Sequence, residues 1–348
     1  EISECLVGSE MCIRDRIYSI NCRKVSIFIE KFTPRFGTLI RRVTKNKLVE
    51  RMCRSLTIFK GSGVALITPM LQDGSVDFDK LKELAEWHVQ QGTNAIIACG
   101  TTGEASTLDD EEHIAVIEAV VKQVAGRIPV IGGTGSNNTQ HGIHLSKEAQ
   151  RVGADALLVV TPYYNKATKK SLVAHYEAIC QSVELPVILY SVSSRTGLNL
   201  TPEAVAELKK IPNIKGIKEA SGDISQIAEI ARLADDDFAI YSGNDDQVTP
   251  ILALGGSGVI STIGNIAPKQ TAQLVADFLN GDVKAAIKEQ LRQKPLIDAI
   301  FSEVNPVPIK AAVSLLGKCE LHYRLPLGVP EDATLVHLEE EMTNYGLL

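Results

Sequence analysis

The chain has 348 residues, of which 45% are hydrophobic and 22% charged, and its formal net charge is −6 at pH 7. This length is ample for a sizeable core, and the composition is that of an ordinary soluble enzyme with one or two domains. Because the net charge is negative, we expect neither nucleic acid nor a membrane surface as a partner. No apolar run predicts a membrane span, and no segment has the pattern of a secretory signal.

The residue pattern predicts neither a metal nor a nucleotide cofactor. The seven cysteines form no C-x-x-C pair, and the histidines are scattered, with His141 and His144 expected to face solvent on a helix. G-x-x-x-x-G-K-[ST] and strand-linked G-x-G-x-x-G motifs are absent. Since no disulfide framework is indicated, we expect a reducing, cytoplasmic compartment.

The N-terminal segment, residues 1–54, differs from the rest in charge. Residues 1–57 contain twelve Lys and Arg against six Asp and Glu, so the remainder of the chain carries −12. The segment has no sustained helix or strand periodicity, so we expect a disordered extension or upstream sequence that is not native. An organellar transit peptide is the alternative, because residues 17–51 are basic and poor in acidic residues.

From residue 55 the chain repeats a β-branched apolar run, a turn and an amphipathic helix. The predicted strands are 63–68, 94–99, 128–132, 155–160, 186–190, 214–218, 238–242 and 258–261. The predicted helices are 78–91, 111–125, 138–152, 170–183, 202–210, 224–234, 268–280, 283–300, 308–316 and 332–345. This alternation favours a closed (β/α)8 TIM barrel over an open doubly wound sheet. We therefore predict a barrel over 55–280 and a helical layer over 281–348.

Lys218 is the strongest catalytic candidate. In such barrels the chemistry lies at the carboxyl ends of the strands, where loops vary on a rigid frame. Lys218 ends an apolar strand there, and a partly desolvated amine is a good nucleophile toward carbonyls. The alternative is a lysine that extends to solvent or pairs with Glu219. Lys215 lies three residues earlier, on the opposite face of the strand.

Other polar residues at predicted strand ends could assist this lysine. Thr101 and Thr102, flanked by glycines, offer N–H groups and hydroxyls to a carboxylate, or form a capped turn. Tyr164 and Tyr190 could relay protons, or be buried tyrosines with satisfied hydroxyls. Arg195 could hold a second carboxylate, or form a surface salt bridge.

Together these motifs resemble one family, the dihydrodipicolinate synthase and N-acetylneuraminate lyase superfamily of class I aldolases. The resemblance runs from about Ile58 to the C-terminus and rests on segments 100–104, 161–165, 190–197, 216–220 and 305–310. The segment around Arg195 and the double tyrosine are more similar to members that condense pyruvate with L-aspartate 4-semialdehyde than to the sugar-acid lyases. That reaction is the first committed step towards diaminopimelate and lysine.

The resemblance implies roles for the residues around pyruvate. Lys218 would form the imine with its carbonyl, and Thr101 and Thr102 would bind its carboxylate. Gly243 and Ile260 would line the pocket. The resemblance thus implies a lyase that needs no cofactor.

The second substrate and the assembly are implied in the same way. Tyr190 would pass protons through Thr101 to Tyr164, which reaches across from a neighbouring subunit. Arg195 would hold the carboxylate of L-aspartate 4-semialdehyde. A homo-oligomer follows, and the resemblance suggests a tetramer of two dimers. The alternatives are a sibling aldolase acting on a 2-keto sugar acid, such as N-acetylneuraminate or 2-keto-3-deoxygluconate, and a non-catalytic protein that binds 2-oxo acids.

Two departures from the family pattern bear on function. Ser191 and Ser193 stand where Asn and Pro are usual, so the loop that presents Arg195 loses the φ restraint of proline. The second departure concerns the site at which members sensitive to lysine bind it. Its positions correspond here to Ala105, Ser106, Asp110, His113, Asn137, His141 and Tyr163. His141 stands where sensitive members have a glutamate that binds the ammonium of lysine. A partly charged imidazole would repel that ammonium, so we predict weak or absent lysine inhibition.

Overall fold

Eight parallel strands form a closed barrel in residues 57–348, the part of the chain that the structure, a computed structural model, describes. The strands are β1 (Gly61–Ala65), β2 (Ala95–Ala98), β3 (Val130–Gly133), β4 (Ala156–Val160), β5 (Val187–Ser191), β6 (Ile214–Glu219), β7 (Ala239–Ser242) and β8 (Gly258–Ser261). Each strand pairs with the next, and β8 pairs with β1. The predicted barrel is confirmed, whereas the prediction for residues 1–54 lies outside the described residues.

Helices alternate with the strands and continue after the last one. Within the described residues they are α1 (Phe78–Gln90), α2 (Asp110–Val124), α3 (Thr139–Arg151), α4 (Lys169–Gln181), α5 (Ser193–Thr196), α6 (Pro202–Leu208), α7 (Ile224–Leu233), α8 (Val248–Ala253), α9 (Pro268–Leu279), α10 (Val283–Ile300), α11 (Val307–Leu315) and α12 (Asp332–Tyr345). Every helix predicted from the sequence is present. The short helices α5 and α8 were not predicted.

Most of the long helices begin at a side chain that caps their first free N–H groups. The capping residues are Asp77, Asp109, Asn138, Thr168, Thr201, Asp223 and Asp282. At α2 the cap is reciprocal, because Asp109 accepts from the Glu112 backbone and the Glu112 carboxylate accepts from the Asp109 backbone. Each cap stabilises its helix by about 1 kcal/mol. Six of these caps end the loops that follow β1 to β6, and Asp282 begins the helix that follows α9.

The barrel interior is packed at its amino end and polar at its carboxyl end. Aliphatic side chains such as Ile97, Ile131 and Ile188 fill the centre. Below them Phe59 and Tyr241 stack with ring centroids 4.3 Å apart, and the Tyr241 hydroxyl donates to the Phe59 carbonyl at 2.8 Å. Because this plug closes one end, a small molecule can enter only from the other.

The C-terminal helices form a layer that reaches the carboxyl end of β2. Helix α10 packs against α9 and α12, and α12 also packs against α11. Arg324, between α11 and α12, forms two 2.6 Å bonds with Glu112 at the start of α2. Division of the chain into a barrel ending at residue 280 and a separate helical region stays a prediction. No helix in the described part of the chain has the length and apolar character needed to cross a membrane.

Candidate active site

Lys218 and Tyr190 lie side by side inside the barrel. Tyr190 on β5, Lys218 on β6 and Tyr241 on β7 are paired in register, so their side chains point to the same, inner face. Lys218 is only 5% exposed, and its Nζ lies 4.3 Å from the centroid of the Tyr190 ring. The amine therefore stays in the barrel rather than extending to solvent, and an aromatic face covers it.

Glu219 is not the partner of this lysine, because it faces the other side of the sheet. It pairs in register with Ser191 and Ser242, which are buried between the barrel and its helices. The Glu219 Oε1 accepts from the Ser221 backbone at 2.9 Å, and burial raises the pKa of the carboxyl to about 7. Since Ser191 shares this outer face, its departure from the family pattern does not alter the lining of the barrel mouth.

The loop after β2 holds Thr102 in a buried position. Glu104 adopts a left-handed conformation with φ of 55°, and its N–H donates to the Thr101 carbonyl at 3.1 Å. Thr102 is 3% exposed, and its Oγ1 accepts from the Asn305 side-chain amide at 3.0 Å. On the other side, the Thr68 hydroxyl donates to the Gly103 carbonyl at 2.7 Å. This loop is therefore fixed from two directions before any substrate binds.

A cavity of about 570 Å³ opens above β2 to β5 and contains most of the residues singled out in the sequence. It is lined by the predicted catalytic residues Thr101 and Tyr190 and by the predicted substrate-binding residue Arg195. The lining also includes six residues of the predicted effector site, Ala105, Ser106, Asp110, His113, His141 and Tyr163. Asn137 lies outside the lining, and its carbonyl accepts from the Asn165 side chain at 2.7 Å. One cavity thus joins part of the predicted active site to the predicted effector site, whereas Lys218 and Thr102 do not line it.

Tyr164, Gly243 and Ile260 are placed differently from the residues that line the cavity. Tyr164 is 86% exposed, with φ of 71°, and its side chain does not line the cavity. Ile260 is buried in the interior cluster that includes Tyr190. A Cβ on Gly243 would lie 2.7 Å from the Ala220 Cβ, so only glycine fits there. Gly243 thus packs against the end of the strand that carries Lys218, and Ile260 shares the interior cluster of Tyr190. Tyr164, in contrast, points to solvent.

Arg195 is held in place although the loop lacks the proline that the family pattern supplies. It lies on the one-turn helix α5, whose Thr196 and Arg195 N–H groups both donate to the Val192 carbonyl. Its Nη2 donates to the Asn305 carbonyl at 2.9 Å. The guanidinium thus lines the cavity, and among residues 57–348 only the Asn305 carbonyl engages one of its donors, which leaves the others for a carboxylate.

Imidazole groups already engage the acidic side chain of the predicted effector site. The His141 Nε2 lies 2.8 Å from Asp110 Oδ1, and the His144 Nε2 lies 3.6 Å from Asp110 Oδ2. The hydrogen bond from His141 lowers the pKa of Asp110. His113 donates from Nε2 to the Gly133 carbonyl at 2.7 Å, and burial lowers its pKa. Within residues 57–348, no group of His, Cys, Asp and Glu side chains could hold a metal ion.

A buried ion pair beneath the β2 loop is not predicted by the sequence pattern. Lys310 on α11 and Glu104 are both fully buried, with Nζ and Oε1 2.6 Å apart. The Nζ also lies 5.2 Å from the Tyr323 ring, and burial lowers the pKa of the amine. The signal available was a lysine within an otherwise apolar helix, flanked by Ile309 and Ala311. An acidic partner offsets the cost of burying the charge of Lys310, but sequence alone does not say which residue that partner is.

A closed (β/α)8 barrel with a buried lysine against a tyrosine at its mouth has the layout of a Schiff-base aldolase. The model of the Dihydrodipicolinate synthetase family matches residues 58–344. The 4-hydroxy-tetrahydrodipicolinate synthase of Thermoanaerobacter sp. (strain X514) is 54% identical over 294 residues, which cover 84% of this chain and 99% of that protein. The chain belongs to the dihydrodipicolinate synthetase family.

Solved structures agree with this assignment. The crystal structure of dihydrodipicolinate synthase from Aquifex aeolicus is similar with a TM-score of 0.82 and 42% identity, covering 83% of this chain and 99% of that one. The chloride-inhibited dihydrodipicolinate synthase from Acinetobacter baumannii, solved in complex with pyruvate, has a TM-score of 0.82 and 43% identity. It likewise covers 83% of this chain and 99% of its own.

Proposed function

We propose that this protein condenses pyruvate with L-aspartate 4-semialdehyde through a Schiff base on Lys218, the 4-hydroxy-tetrahydrodipicolinate synthase reaction. The observation that carries the proposal is the placement of Lys218, buried inside the barrel mouth against Tyr190. The high identity to a relative with that activity supports the choice of substrates. The reaction needs neither metal nor cofactor, because the imine itself acts as the electron sink.

In the first half of the reaction, the Lys218 amine attacks the ketone carbon of pyruvate. Loss of water gives an imine, and loss of a methyl proton gives the enamine. Thr101 and Thr102 bind the carboxylate of pyruvate. Gly243 and Ile260 line the pyruvate pocket beside it. Because Asn305 and Thr68 hold the β2 loop in place, the ketone carbon is held at the amine rather than free to rotate.

In the second half, the enamine carbon attacks the aldehyde carbon of the second substrate. Arg195 binds the carboxylate of that substrate. The substrate's own amine then attacks the imine carbon, which closes the ring and returns Lys218 as a free amine. Tyr190 and Thr101 pass the protons, with Tyr164 of a neighbouring subunit completing the relay.

The exposure of Tyr164 supports an oligomer. Tyr164 is 86% exposed and does not line the cavity of its own chain, so its phenol is open to the cavity of a second copy. We propose a homo-oligomer, with a tetramer of two dimers as the expected form. Cys99, Cys180 and Cys319, the cysteines in the part of the chain that the structure describes, are unpaired, which favours a cytoplasmic location.

The experiment that tests the function is borohydride trapping with pyruvate, followed by a turnover assay with L-aspartate 4-semialdehyde. We expect one reduced adduct, mapped by mass spectrometry to the peptide that contains Lys218, and none in Lys218→Met. Lys215→Met is the matched control, because Lys215 is on the same strand but faces outward, and it should trap as the wild type does.

Each outcome has a separate meaning. An adduct on Lys218 together with turnover supports the proposal. An adduct without turnover would reject the second substrate and favour an aldolase acting on a 2-keto sugar acid. No adduct in the wild-type protein would reject the Schiff base and leave a protein that only binds 2-oxo acids.

A further inference from the structure

Asn305 lies where the two carboxylate-binding groups of the proposed site meet. Its side-chain Nδ2 donates to Thr102 Oγ1 at 3.0 Å, and its backbone carbonyl accepts from Arg195 Nη2 at 2.9 Å. Thr102 and Arg195 come from loops after different strands, and Asn305 comes from the segment before α11. One residue of the C-terminal region therefore contacts both groups.

The hydrogen bond from Asn305 constrains the hydroxyl of Thr102. Because Oγ1 accepts from the amide, the hydroxyl proton is left to point elsewhere, and a hydroxyl has only one proton to donate. Thr102 and Asn305 are 3% and 7% exposed, so water does not compete freely for this bond. The arrangement turns the proton of Thr102 away from Asn305, and under the proposed function that proton is the one offered to the carboxylate of pyruvate.

A second contact holds the same two segments together. Glu104 follows Thr102 by two residues, and Lys310 follows Asn305 by five. The fully buried Glu104 and Lys310 side chains are joined at 2.6 Å. The Asn305–Thr102 hydrogen bond and the Lys310–Glu104 ion pair fix the relative position of segments 102–104 and 305–310, since one contact alone would let the segments rotate about it. Asn305 is thereby held at hydrogen-bonding distance from Thr102.

We propose that Asn305 is a positioning residue for the pyruvate half of the reaction, acting through the hydroxyl of Thr102. This inference rests on the proposed function. Within residues 57–348 its side-chain hydrogen bond is to Thr102, whereas Arg195 is held by the backbone carbonyl, which side-chain substitution leaves in place. The two half-reactions should therefore respond differently to changes at this residue.

The test measures kcat/KM for each substrate separately in Asn305→Ala. In a mechanism with a covalent lysine intermediate, kcat/KM for pyruvate reports the first half-reaction and kcat/KM for L-aspartate 4-semialdehyde the second. We expect the value for pyruvate to fall about tenfold, the loss of one buried hydrogen bond. The value for the semialdehyde should change less than about twofold. A purely structural role would lower both values together.

Two further variants make the result specific. In Asn305→Asp, which keeps the shape, the new carboxylate can only accept, so it draws the Thr102 proton away from pyruvate. The kcat/KM for pyruvate should then be lower in Asn305→Asp than in Asn305→Ala. If instead the amide oxygen of Asn305 faced Thr102, Asn305→Asp would behave like the wild type, and the proposal would be wrong.

A double-variant cycle tests the route through Thr102. If Asn305 acts through this hydroxyl, Thr102→Val with Asn305→Ala should be no worse than Thr102→Val alone. Independent, multiplying losses would overturn the proposal. Asn213→Ala is the stability control, because the Asn213 amide donates to three carbonyls, including that of Cys180, before β6 at the far end of the barrel. It should lower the melting temperature without separating the two substrates.

The failure of this inference is distinguishable from failure of the proposed function. If wild-type protein traps pyruvate on Lys218 and turns over, but Asn305→Ala keeps the wild-type kcat/KM for pyruvate, only the inference fails. If wild-type protein traps no pyruvate, the proposed function fails first, and the inference falls with it.

Discussion

The Lys218 amine faces the ring of Tyr190 at 4.3 Å, and the two residues are neighbours in register on β6 and β5. This relationship separates the two contributions of the tyrosine, because the ring covers the amine while the hydroxyl is free to move protons. Tyr190→Phe keeps the ring. We expect kcat to fall at least about 100-fold, the size of a lost acid–base group, with the fold unchanged.

Tyr241→Phe is the matched control for this prediction. Tyr241 neighbours Lys218 on β7, but its hydroxyl donates to Phe59 at the closed end of the barrel. Loss of that bond should lower the free energy of unfolding by about 1–3 kcal/mol and leave kcat near the wild-type value. Steady-state turnover and thermal unfolding of both variants check this. Similar losses of kcat in the two variants would rule out a proton-transfer role for Tyr190.

The sequence predicts the barrel well because each strand is a short apolar run set off by turn residues. Strand β1 is the poorest match, since the apolar run continues over buried Leu66 and Ile67 after the strand has ended at Ala65. Hydrophobicity there reports burial rather than pairing. Helix α5 has four residues, too few to show a helical period, so it was not predicted.

The sequence predicts the candidate site where a reactive residue lies at the carboxyl end of a strand, as at Lys218 and Tyr190. The contacts made by Asn305 and Lys310 could not be predicted, because their partners Thr102 and Glu104 lie about 200 residues earlier in the chain. The local sequence pattern predicts the strand or helix in which a residue lies, but not the residue that it contacts from a distant part of the chain. The assigned roles stay predictions until variants are measured.

Lys310→Met should strongly destabilise the protein. It would leave the Glu104 carboxylate fully buried without its partner, and removal of one member of a buried ion pair costs about 3–5 kcal/mol. The double variant Lys310→Met with Glu104→Gln should recover part of that loss, because no charge is then left unpaired. Denaturant unfolding measures both. Lys80→Met, which breaks an exposed pair with Glu83, should have little effect.

Glu219 should make the stability depend on pH. Burial raises the pKa of its carboxyl from 4.5 to about 7, so the folded protein holds a proton that the unfolded chain releases between those values. The contribution of Glu219 to the free energy of unfolding is therefore fully present below about pH 4.5 and is lost as the pH rises through about 7. Glu219→Gln mimics the protonated form and removes this dependence.

We expect wild type and Glu219→Gln to have similar free energies of unfolding near pH 5. By about pH 8 the variant should be more stable by about 2–3 kcal/mol. Denaturant unfolding at several pH values gives this difference directly, and groups common to both proteins cancel from it. A constant difference across the range would mean that Glu219 titrates normally in the folded protein.

Lysine should inhibit this protein weakly or not at all. An effector ammonium needs an anionic partner in the cavity, but the Asp110 carboxylate already accepts from His141 at 2.8 Å. Half-maximal inhibition should therefore require more than about 1 mM lysine, measured in the turnover assay.

His141→Glu would replace the imidazole with a carboxylate and should lower that concentration. His144→Glu is the control, because His144 also neighbours Asp110 but does not line the cavity. Strong inhibition of the wild-type protein, or equal sensitivity in the two variants, would show that His141 does not determine the response.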